Sequence, residues 1–165
     1  MKQGLSAVGL GASLLIGVAA WAQDVVRHRI PNSNFPIAQA VEVPAGKTTV
    51  YVSGAVPAVT DQAAERNTVA AYGDTKTQTE SVLRAIEKTL TGMNLKMGDV
   101  IKMQVFLVGD SAKGGRMDFA GFMEGYTQFF GTKDQPNLPS RSVFQVAGLA
   151  NPGFLVEIEV TAVRP

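Results

Sequence analysis

Residues 155–163, close to the end of the chain, read LVEIEVTAV. Apolar and polar side chains alternate along this stretch, so that Glu157 and Glu159 point to one face and Val156, Ile158 and Val160 to the other. A period of two is typical of a β-strand, whose successive side chains point to opposite faces of the sheet. The stretch therefore predicts a sheet that has one apolar face and one mixed face.

Four earlier stretches also have the composition of strands. They are Gln39–Val43, Thr48–Val56, Val100–Val108 and Arg141–Ala147. A short turn at residues 44–46 joins the first two, which we expect to form an opening hairpin. A turn at residues 151–153 leads from the fourth into the closing strand. In the central strand, we expect Lys102 and Gln104 to share a face with Val100, Phe106 and Val108.

Two helices are predicted between the strands. Asp74 and a capping box at Thr77–Glu80 indicate the start of the first, and Gly92 marks its end; its apolar side chains recur at helical spacing. Asp118 is a plausible N-cap for the second, which carries an aromatic face through Phe130. We interpret that face as core rather than as a cofactor site. Residues 58–72 read as a long surface loop with one weak helical turn.

The predicted order is therefore β-β-α-β-α-β-β. It indicates an α+β domain in which a single sheet has two helices on one face. The other face, with its mixture of apolar and polar side chains, is either solvated or covered by further copies of the chain. In the second case, apolar positions would close the contact and polar positions would line a cavity.

The first residues predict export from the cytoplasm. Lys2 precedes an apolar run over residues 5–20, and small residues flank Trp21, which is the pattern of a signal peptide over residues 1–22. An uncleaved anchor is the alternative. We expect a flexible segment at residues 23–34, a domain at residues 35–165, and a periplasmic or secreted protein that has no membrane association after cleavage.

Composition excludes several kinds of site. The chain of 165 residues has a formal charge of +1, which does not favour nucleic acid as a partner. It has no cysteine, so disulfides, thiolate metal sites and cysteine nucleophiles are excluded. The only histidine, His28, lies in a tail that reads as irregular, and we expect no metal site or histidine triad. The glycine-rich loop at residues 109–115 lacks the spacing of a phosphate-binding loop.

Arg141 and Glu157 are the residues best suited to chemistry. Arg141 offers a planar fork that can hold a carboxylate through two charge-assisted hydrogen bonds, and Glu157 can hold or activate a water molecule. A buried guanidinium without a partner costs several kcal/mol of desolvation free energy. The partner of Arg141 is thus either an anionic ligand or a protein carboxylate, with an Arg141–Glu157 ion pair as the structural alternative.

Several short motifs, taken together in their order and spacing, resemble the reactive intermediate deaminase family, also called the YjgF or endoribonuclease L-PSP-like family. They cover the chain from about Phe35 to Arg164. The matching motifs are Val52-Ser53-Gly54 with Pro57, Gly73-Asp74, Gln78-Thr79, Gly98-Asp99-Val100, Val105-Phe106-Leu107, Asp118-Phe119, Tyr126 with Phe129-Phe130, Pro139-Ser140-Arg141, and Val156-Glu157-Ile158-Glu159 with Ala162.

The resemblance implies a chorismate-mutase-like fold and a homotrimeric barrel with clefts between subunits. It also implies hydrolysis of enamines or imines to a 2-oxo acid and ammonia without a cofactor. By this resemblance Arg141 binds the substrate carboxylate, Glu157 positions or activates the attacking water, and Ser53 and Gly54 contact the substrate.

Three other pocket positions depart from the common family pattern. Ile37 stands where a tyrosine is frequent, Met123 where an asparagine is frequent and Val143 where a cysteine is frequent. We therefore expect a more apolar substrate pocket. Because the chain is predicted to be exported, we expect its substrates to be imines that oxidases or dehydrogenases release outside the cytoplasm. The alternative is a non-catalytic trimer that binds small carboxylates or acts as a chaperone-like accessory protein; ribonuclease action is disfavoured by the near-neutral charge.

Overall fold

The structure, a computed structural model, describes residues 24–165 of the chain. The predicted leader, residues 1–22, lies outside the described residues. Within the described residues, six strands and two α-helices follow one another. They are β1 (Val26–Arg29), β2 (Ala38–Glu42), β3 (Thr49–Ala55), α1 (Thr75–Gly92), β4 (Val100–Val108), α2 (Phe119–Tyr126), β5 (Ser140–Val146) and β6 (Val156–Val163).

All six strands form one mixed sheet in the order β1-β2-β5-β4-β6-β3. The predicted α+β class and the predicted set of five strands and two helices are confirmed. The closing strand alternates as predicted, with Val156, Ile158 and Val160 buried and Glu157 and Glu159 on the other face. Both helices pack against the apolar face, so the core lies between helices and sheet.

The predicted opening hairpin is wrong. β2 lies on one side of the sheet, antiparallel to β1 and parallel to β5, whereas β3 lies at the opposite edge against β6. A short turn favours a hairpin only when its two strands lack better partners. Here, pairing with β6 lets Val50 and Val52 pack against the core beside Ala162 and Val160.

A strand forms where an irregular tail was expected. The Arg27 guanidinium in β1 donates hydrogen bonds of 3.1 Å to the Leu138 carbonyl, 2.8 Å to that of Gly98 and 3.1 Å to that of Val100. These bonds attach β1 to the loop before β5 and to the turn at the start of β4. His28 lies in this strand, where its Nε2 atom is 2.6 Å from Glu42 Oε1 across to β2.

Val100 does not share a face with Lys102 as predicted. The register between β4 and β6 shifts between these two residues, so that Val100 lies opposite Ala162 and Lys102 opposite Thr161. This β-bulge places an extra residue in β4, and the side chain of Val100 therefore points into the core. Phe106 and Val108 remain on the same face as Lys102.

The first helix has Asp74 as its N-cap, as predicted, but it begins at Thr75, so the predicted capping box does not mark its start. The Asp74 carboxylate accepts a hydrogen bond of 2.8 Å from the backbone N–H of Thr77, and the helix ends at Gly92 as predicted. Thr77–Glu80 therefore lies inside α1. The second helix is capped by Asp118 as predicted but ends at Tyr126, and Phe130 reaches the core from the turn beyond it.

The two helices approach each other closely at Gly125. A Cβ atom at this position would lie 2.8 Å from the Cβ atom of Thr79, so only glycine fits there. This contact positions α2, and with it Met123 and Tyr126, above the sheet. No helix in residues 24–165 is long and apolar enough to cross a membrane.

Candidate functional site

Arg141 lies in β5 opposite Met103 of β4, so its side chain points to the helix-covered face of the sheet. Its guanidinium is surrounded by aromatic rings. The guanidinium carbon lies 4.2 Å from the ring centre of Tyr126 and 4.9 Å from that of Phe122, and Phe35 contributes a third ring at 5.7 Å. Aromatic faces attract a cation through their quadrupole without neutralising its charge.

The hydrogen bonds of this guanidinium are incomplete. Its Nη2 atom lies 3.2 Å from the Met123 sulfur, which is a weak acceptor, and its Nη1 atom is buried without a partner among residues 24–165. No salt bridge to Arg141 is present in that part of the chain. Burial lowers the pKa of Arg141, and the neighbouring Tyr126 partly opposes this shift. The Arg141–Glu157 ion pair, the structural alternative, does not form.

Tyr126 links this guanidinium to the loop before β2. Its hydroxyl donates a hydrogen bond of 2.8 Å to the Pro36 carbonyl, and its ring stacks on Phe130. Burial raises the pKa of Tyr126 to about 12, and the positive charge of Arg141 acts in the opposite direction. The sequence predicted Tyr126 on the aromatic core face of the second helix and in a family motif, but not in contact with Arg141. Tyr126 follows Met123 by three residues, so both side chains lie on one face of the helix. This spacing is the feature of the sequence that could have indicated a shared contact with Arg141.

Three other predicted residues border the same side of the sheet. Met123 contacts the guanidinium directly, and Val143 lies two residues beyond Arg141 on the same face of β5, where it packs against the core. Ile37 is half-buried and lines a hollow of about 120 Å³ together with Phe35. We call Arg141, Met123, Val143, Ile37 and the ring of Phe35 the guanidinium pocket.

Glu157 lies on the other face of the sheet. Its strand position is opposite Phe106 of β4, and its side chain packs over Gly54, where a Cβ atom would lie 3.0 Å from its carboxylate carbon. Ser53 and Gly54 together oppose the single residue Glu159, which makes a β-bulge in β3. We call Ser53, Gly54 and Glu157 the carboxylate face.

The carboxylate face borders an open polar surface. Ser53 lines a hollow of about 280 Å³ with Lys102, Gln104 and Glu159, and the Gln104 amide donates a hydrogen bond to the Glu159 carboxylate. Nearby on this face, Phe106 and Phe144 stack with ring centres 6.3 Å apart. Tyr51 is 81% exposed and Phe144 46% exposed. Such an uncovered mixture of apolar rings and polar groups is typical of a contact surface.

The predicted site residues thus fall into two groups on opposite faces of one sheet. Arg141, Met123, Val143 and Ile37 belong to the guanidinium pocket, and Ser53, Gly54 and Glu157 to the carboxylate face. Within one chain the sheet separates Arg141 from Glu157, so the two cannot contact one small ligand. In residues 24–165, no cluster of three or more histidine, cysteine, aspartate and glutamate side chains is arranged to hold a metal ion.

Comparison with known proteins places the chain among relatives of similar length. The family model described as Endoribonuclease L-PSP matches residues 27–164. TdcF of Escherichia coli K12, whose name assigns it to the reactive intermediate deaminases, is 34% identical over 137 residues, covering 83% of this chain and 93% of TdcF. Protein DfrA of Myxococcus xanthus is 32% identical over 133 residues, covering 81% of this chain and 88% of DfrA.

Solved structures show the same fold. The crystal structure of E. coli TdcF with bound serine has a TM-score of 0.55 and 32% identity, covering 87% of this chain and 99% of that one. The E. coli YjgF gene product has a TM-score of 0.55 and 30% identity, covering 82% of this chain and 93% of that one. This chain therefore belongs to the reactive intermediate deaminase family, also called the YjgF or endoribonuclease L-PSP family.

Proposed function

We propose that this protein hydrolyses reactive enamines and imines, in particular 2-imino acids, to 2-oxo acids or other carbonyl compounds and ammonia. The observation that carries the proposal is the incomplete hydrogen bonding of the Arg141 guanidinium. Its Nη1 atom is buried without a hydrogen-bond acceptor among residues 24–165. A carboxylate supplies two acceptors and a negative charge, and so matches what this group lacks.

The chemistry requires few groups because an imine carbon is already electrophilic. Water adds to this carbon while the nitrogen gains a proton, and the resulting carbinolamine loses ammonia as its C–N bond breaks and the C=O bond forms. The protein has to hold the carboxylate, orient the imine and place the water. Arg141 serves the first role, and Glu157 can accept the proton of the water.

Arg141 and Glu157 act together only if they come from different copies of the chain. We propose a homotrimer in which the exposed face of one sheet meets the guanidinium pocket of a neighbour. The exposed rings of Tyr51 and Phe144 supply apolar contact area for this association. TdcF, whose solved structure contains serine, offers a precedent for a small ligand with a carboxylate.

The location of the reaction follows from the proposed leader. If residues 1–22 direct export, the protein works in the periplasm or outside the cell. Amine and amino-acid oxidases or dehydrogenases in the same compartment would then release the imines.

The apolar side chains at Ile37, Met123 and Val143 favour substrates with apolar side chains over substrates with polar ones.

The second candidate is a trimer that binds small carboxylates without catalysis, as a carrier or chaperone-like accessory protein. The separation of Arg141 from Glu157 by the sheet favours this alternative, because Arg141 alone is sufficient for binding. Both candidates use the guanidinium pocket. They differ only in whether Glu157 of a neighbouring copy reaches the bound ligand.

An imine-release assay tests the proposal. An amino-acid oxidase with alanine or leucine generates the imino acid in the presence of catalase, and 2-oxo acid formation is followed after trapping the remaining imine with semicarbazide. We expect the protein to lower the trapped fraction, and Arg141→Lys and Glu157→Gln to abolish this effect, whereas Arg66→Lys, at an exposed loop position, retains it. Equal trapping with and without the protein, together with calorimetric binding of 2-oxopropanoate that requires Arg141, would select the non-catalytic candidate.

A further inference from the structure

Part of the Arg141 guanidinium is closed to solvent, although the residue as a whole is only half-buried. The Nη1 atom of its guanidinium is shielded from solvent, although no hydrogen bond within residues 24–165 explains its burial. Three rings surround the guanidinium, and two of them, Phe122 and Tyr126, are completely buried in the core. The third, Phe35, is 41% exposed and lies in the loop between β1 and β2. Within a single chain, Phe35 is therefore the ring with the greatest freedom to move.

The backbone around Phe35 is held in place on both sides. The Phe35 N–H donates a hydrogen bond of 3.1 Å to the Ser33 hydroxyl, and the Phe35 carbonyl accepts one of 2.8 Å from the Ile37 N–H. The Pro36 carbonyl accepts the hydrogen bond from Tyr126. A movement of Phe35 relative to Arg141 is therefore expected to be a rotation of its side chain rather than a displacement of the loop.

Space for a rotated ring exists next to Phe35. Phe35 lines the hollow of about 120 Å³, together with the apolar residues Ile30, Ile37, Pro136 and Leu138 and the polar residues Arg29, Ser33 and Asn34. A closed apolar cavity of about 150 Å³ is large enough to hold benzene. The hollow is slightly smaller but opens to the surface, so it can take up a phenyl ring that turns away from Arg141.

We propose that Phe35 controls access to Arg141, covering the guanidinium in the unliganded protein and turning into the adjacent hollow to admit a carboxylate. The identity of that ligand rests on the proposed function, whereas the movement of the ring does not. Only open molecules bind the ligand, so the apparent affinity equals the intrinsic affinity multiplied by the fraction of molecules that are open. A ligand whose own side chain fills the hollow would compete with the ring, so Phe35 also selects for small side chains.

Chemical labelling measures access without relying on catalysis. Phenylglyoxal condenses with accessible guanidinium groups, and peptide mass spectrometry gives the labelling rate of Arg141 relative to the exposed Arg66 in the same molecule. We expect Phe35→Ala to raise the relative rate of Arg141 several-fold. Ile30→Trp, which fills the hollow but keeps Phe35, should lower the rate below that of wild type. Val43→Ala, at an exposed apolar position outside the pocket, should leave it unchanged.

Two results would overturn the proposal: a wild-type rate in Phe35→Ala, or a rate in Ile30→Trp that equals or exceeds wild type. Adding 2-oxopropanoate separates this question from the proposed function. If the carboxylate binds at Arg141, it slows the labelling of Arg141 in Phe35→Ala more effectively than in wild type. If labelling depends on Phe35 but not on 2-oxopropanoate, the control of access stands and the proposed ligand is wrong.

Discussion

The guanidinium carbon of Arg141 lies 4.2 Å from the centre of the Tyr126 ring, and no carboxylate in residues 24–165 forms a salt bridge with it. A cation–π contact contributes about 0.5–2 kcal/mol, whereas burial of a charge costs several kcal/mol. The aromatic rings therefore offset only part of the desolvation free energy. The pocket lowers the stability of the unliganded protein, and a bound anion would restore some of it.

Replacing Arg141 with methionine should stabilise the protein while it removes function. The linear apolar side chain fills the same space without a buried charge, so the free energy of unfolding should rise by about 1 kcal/mol or more. Urea denaturation followed by circular dichroism measures this change, and the imine assay should show no activity. Arg66→Met, at an exposed site, should change the free energy of unfolding by less than about 0.5 kcal/mol. A strongly destabilised Arg141→Met would show that the guanidinium has partners that stabilise it.

Replacing Gly54 with alanine should displace the side chain of Glu157. The new Cβ atom would lie 3.0 Å from the carboxylate carbon and 3.2 Å from the Cγ atom of Glu157, so the glutamate has to rotate away. We expect imine hydrolysis to fall at least tenfold, a cost of about 1.4 kcal/mol in transition-state free energy, with binding of 2-oxopropanoate less affected. Gly92→Ala, where a Cβ atom meets no neighbour within 4 Å, is the matched control and should keep full activity. Full activity in Gly54→Ala would mean that the mechanism does not require Glu157.

Replacing Tyr126 with phenylalanine should change the stability in a pH-dependent way. At neutral pH the variant loses the hydrogen bond to Pro36, at a cost of about 1 kcal/mol. Burial raises the pKa of Tyr126 to about 12, above its ordinary value of 10.0. Between these two values the unfolded state loses the phenolic proton and the folded state keeps it, so wild-type stability falls by up to about 2–3 kcal/mol as pH rises.

The variant lacks this loss of stability at alkaline pH, so the stability difference between the two proteins should shrink from about pH 10 upwards and reverse at about pH 11, where the wild-type loss reaches about 1.4 kcal/mol. Urea denaturation of both proteins at a series of pH values measures it. A constant difference across this range would mean that Tyr126 is not shielded from water.

Mixing two inactive variants tests whether one site uses two copies of the chain. In trimers reassembled from equal amounts of Arg141→Ala and Glu157→Gln, about one site in four combines an intact arginine with an intact glutamate from the neighbour. We therefore expect the reassembled mixture to recover about a quarter of wild-type activity, by the same symmetry argument. The variants assayed separately are the controls. No recovery after demonstrated subunit exchange would contradict a shared site.

Replacing Gln78 with alanine should destabilise the fold without touching the site. The completely buried amide donates hydrogen bonds to the carbonyls of Gly73 and Gly153, and its oxygen accepts one of 2.7 Å from the Leu155 N–H. The variant loses these three hydrogen bonds and leaves their backbone partners unsatisfied, which should lower the free energy of unfolding by about 2–4 kcal/mol. Gln62→Ala, at an exposed position, should have little effect on thermal denaturation. A small change in Gln78→Ala would indicate that water replaces the amide.

Local pattern was sufficient for most of the secondary structure. The alternation in residues 155–163 and the apolar spacing from Val82 to Leu90 predicted β6 and α1, because side-chain periodicity reports directly which face is buried. The choice of which strands lie next to each other in the sheet was less predictable. The turn at residues 44–46 favoured a hairpin, yet β2 and β3 lie apart because each finds a partner that is distant in the sequence.

Residue type, order and spacing were sufficient to predict the fold class, the family and the residues able to hold a carboxylate. The positions of Arg141 and Glu157 on opposite faces of the sheet, and the three rings around the guanidinium, became known only from the folded chain. Strand register sets the face of each side chain, and a bulge such as the one at Ser53 and Gly54 changes it. Register depends on contacts between distant segments, which no local pattern contains.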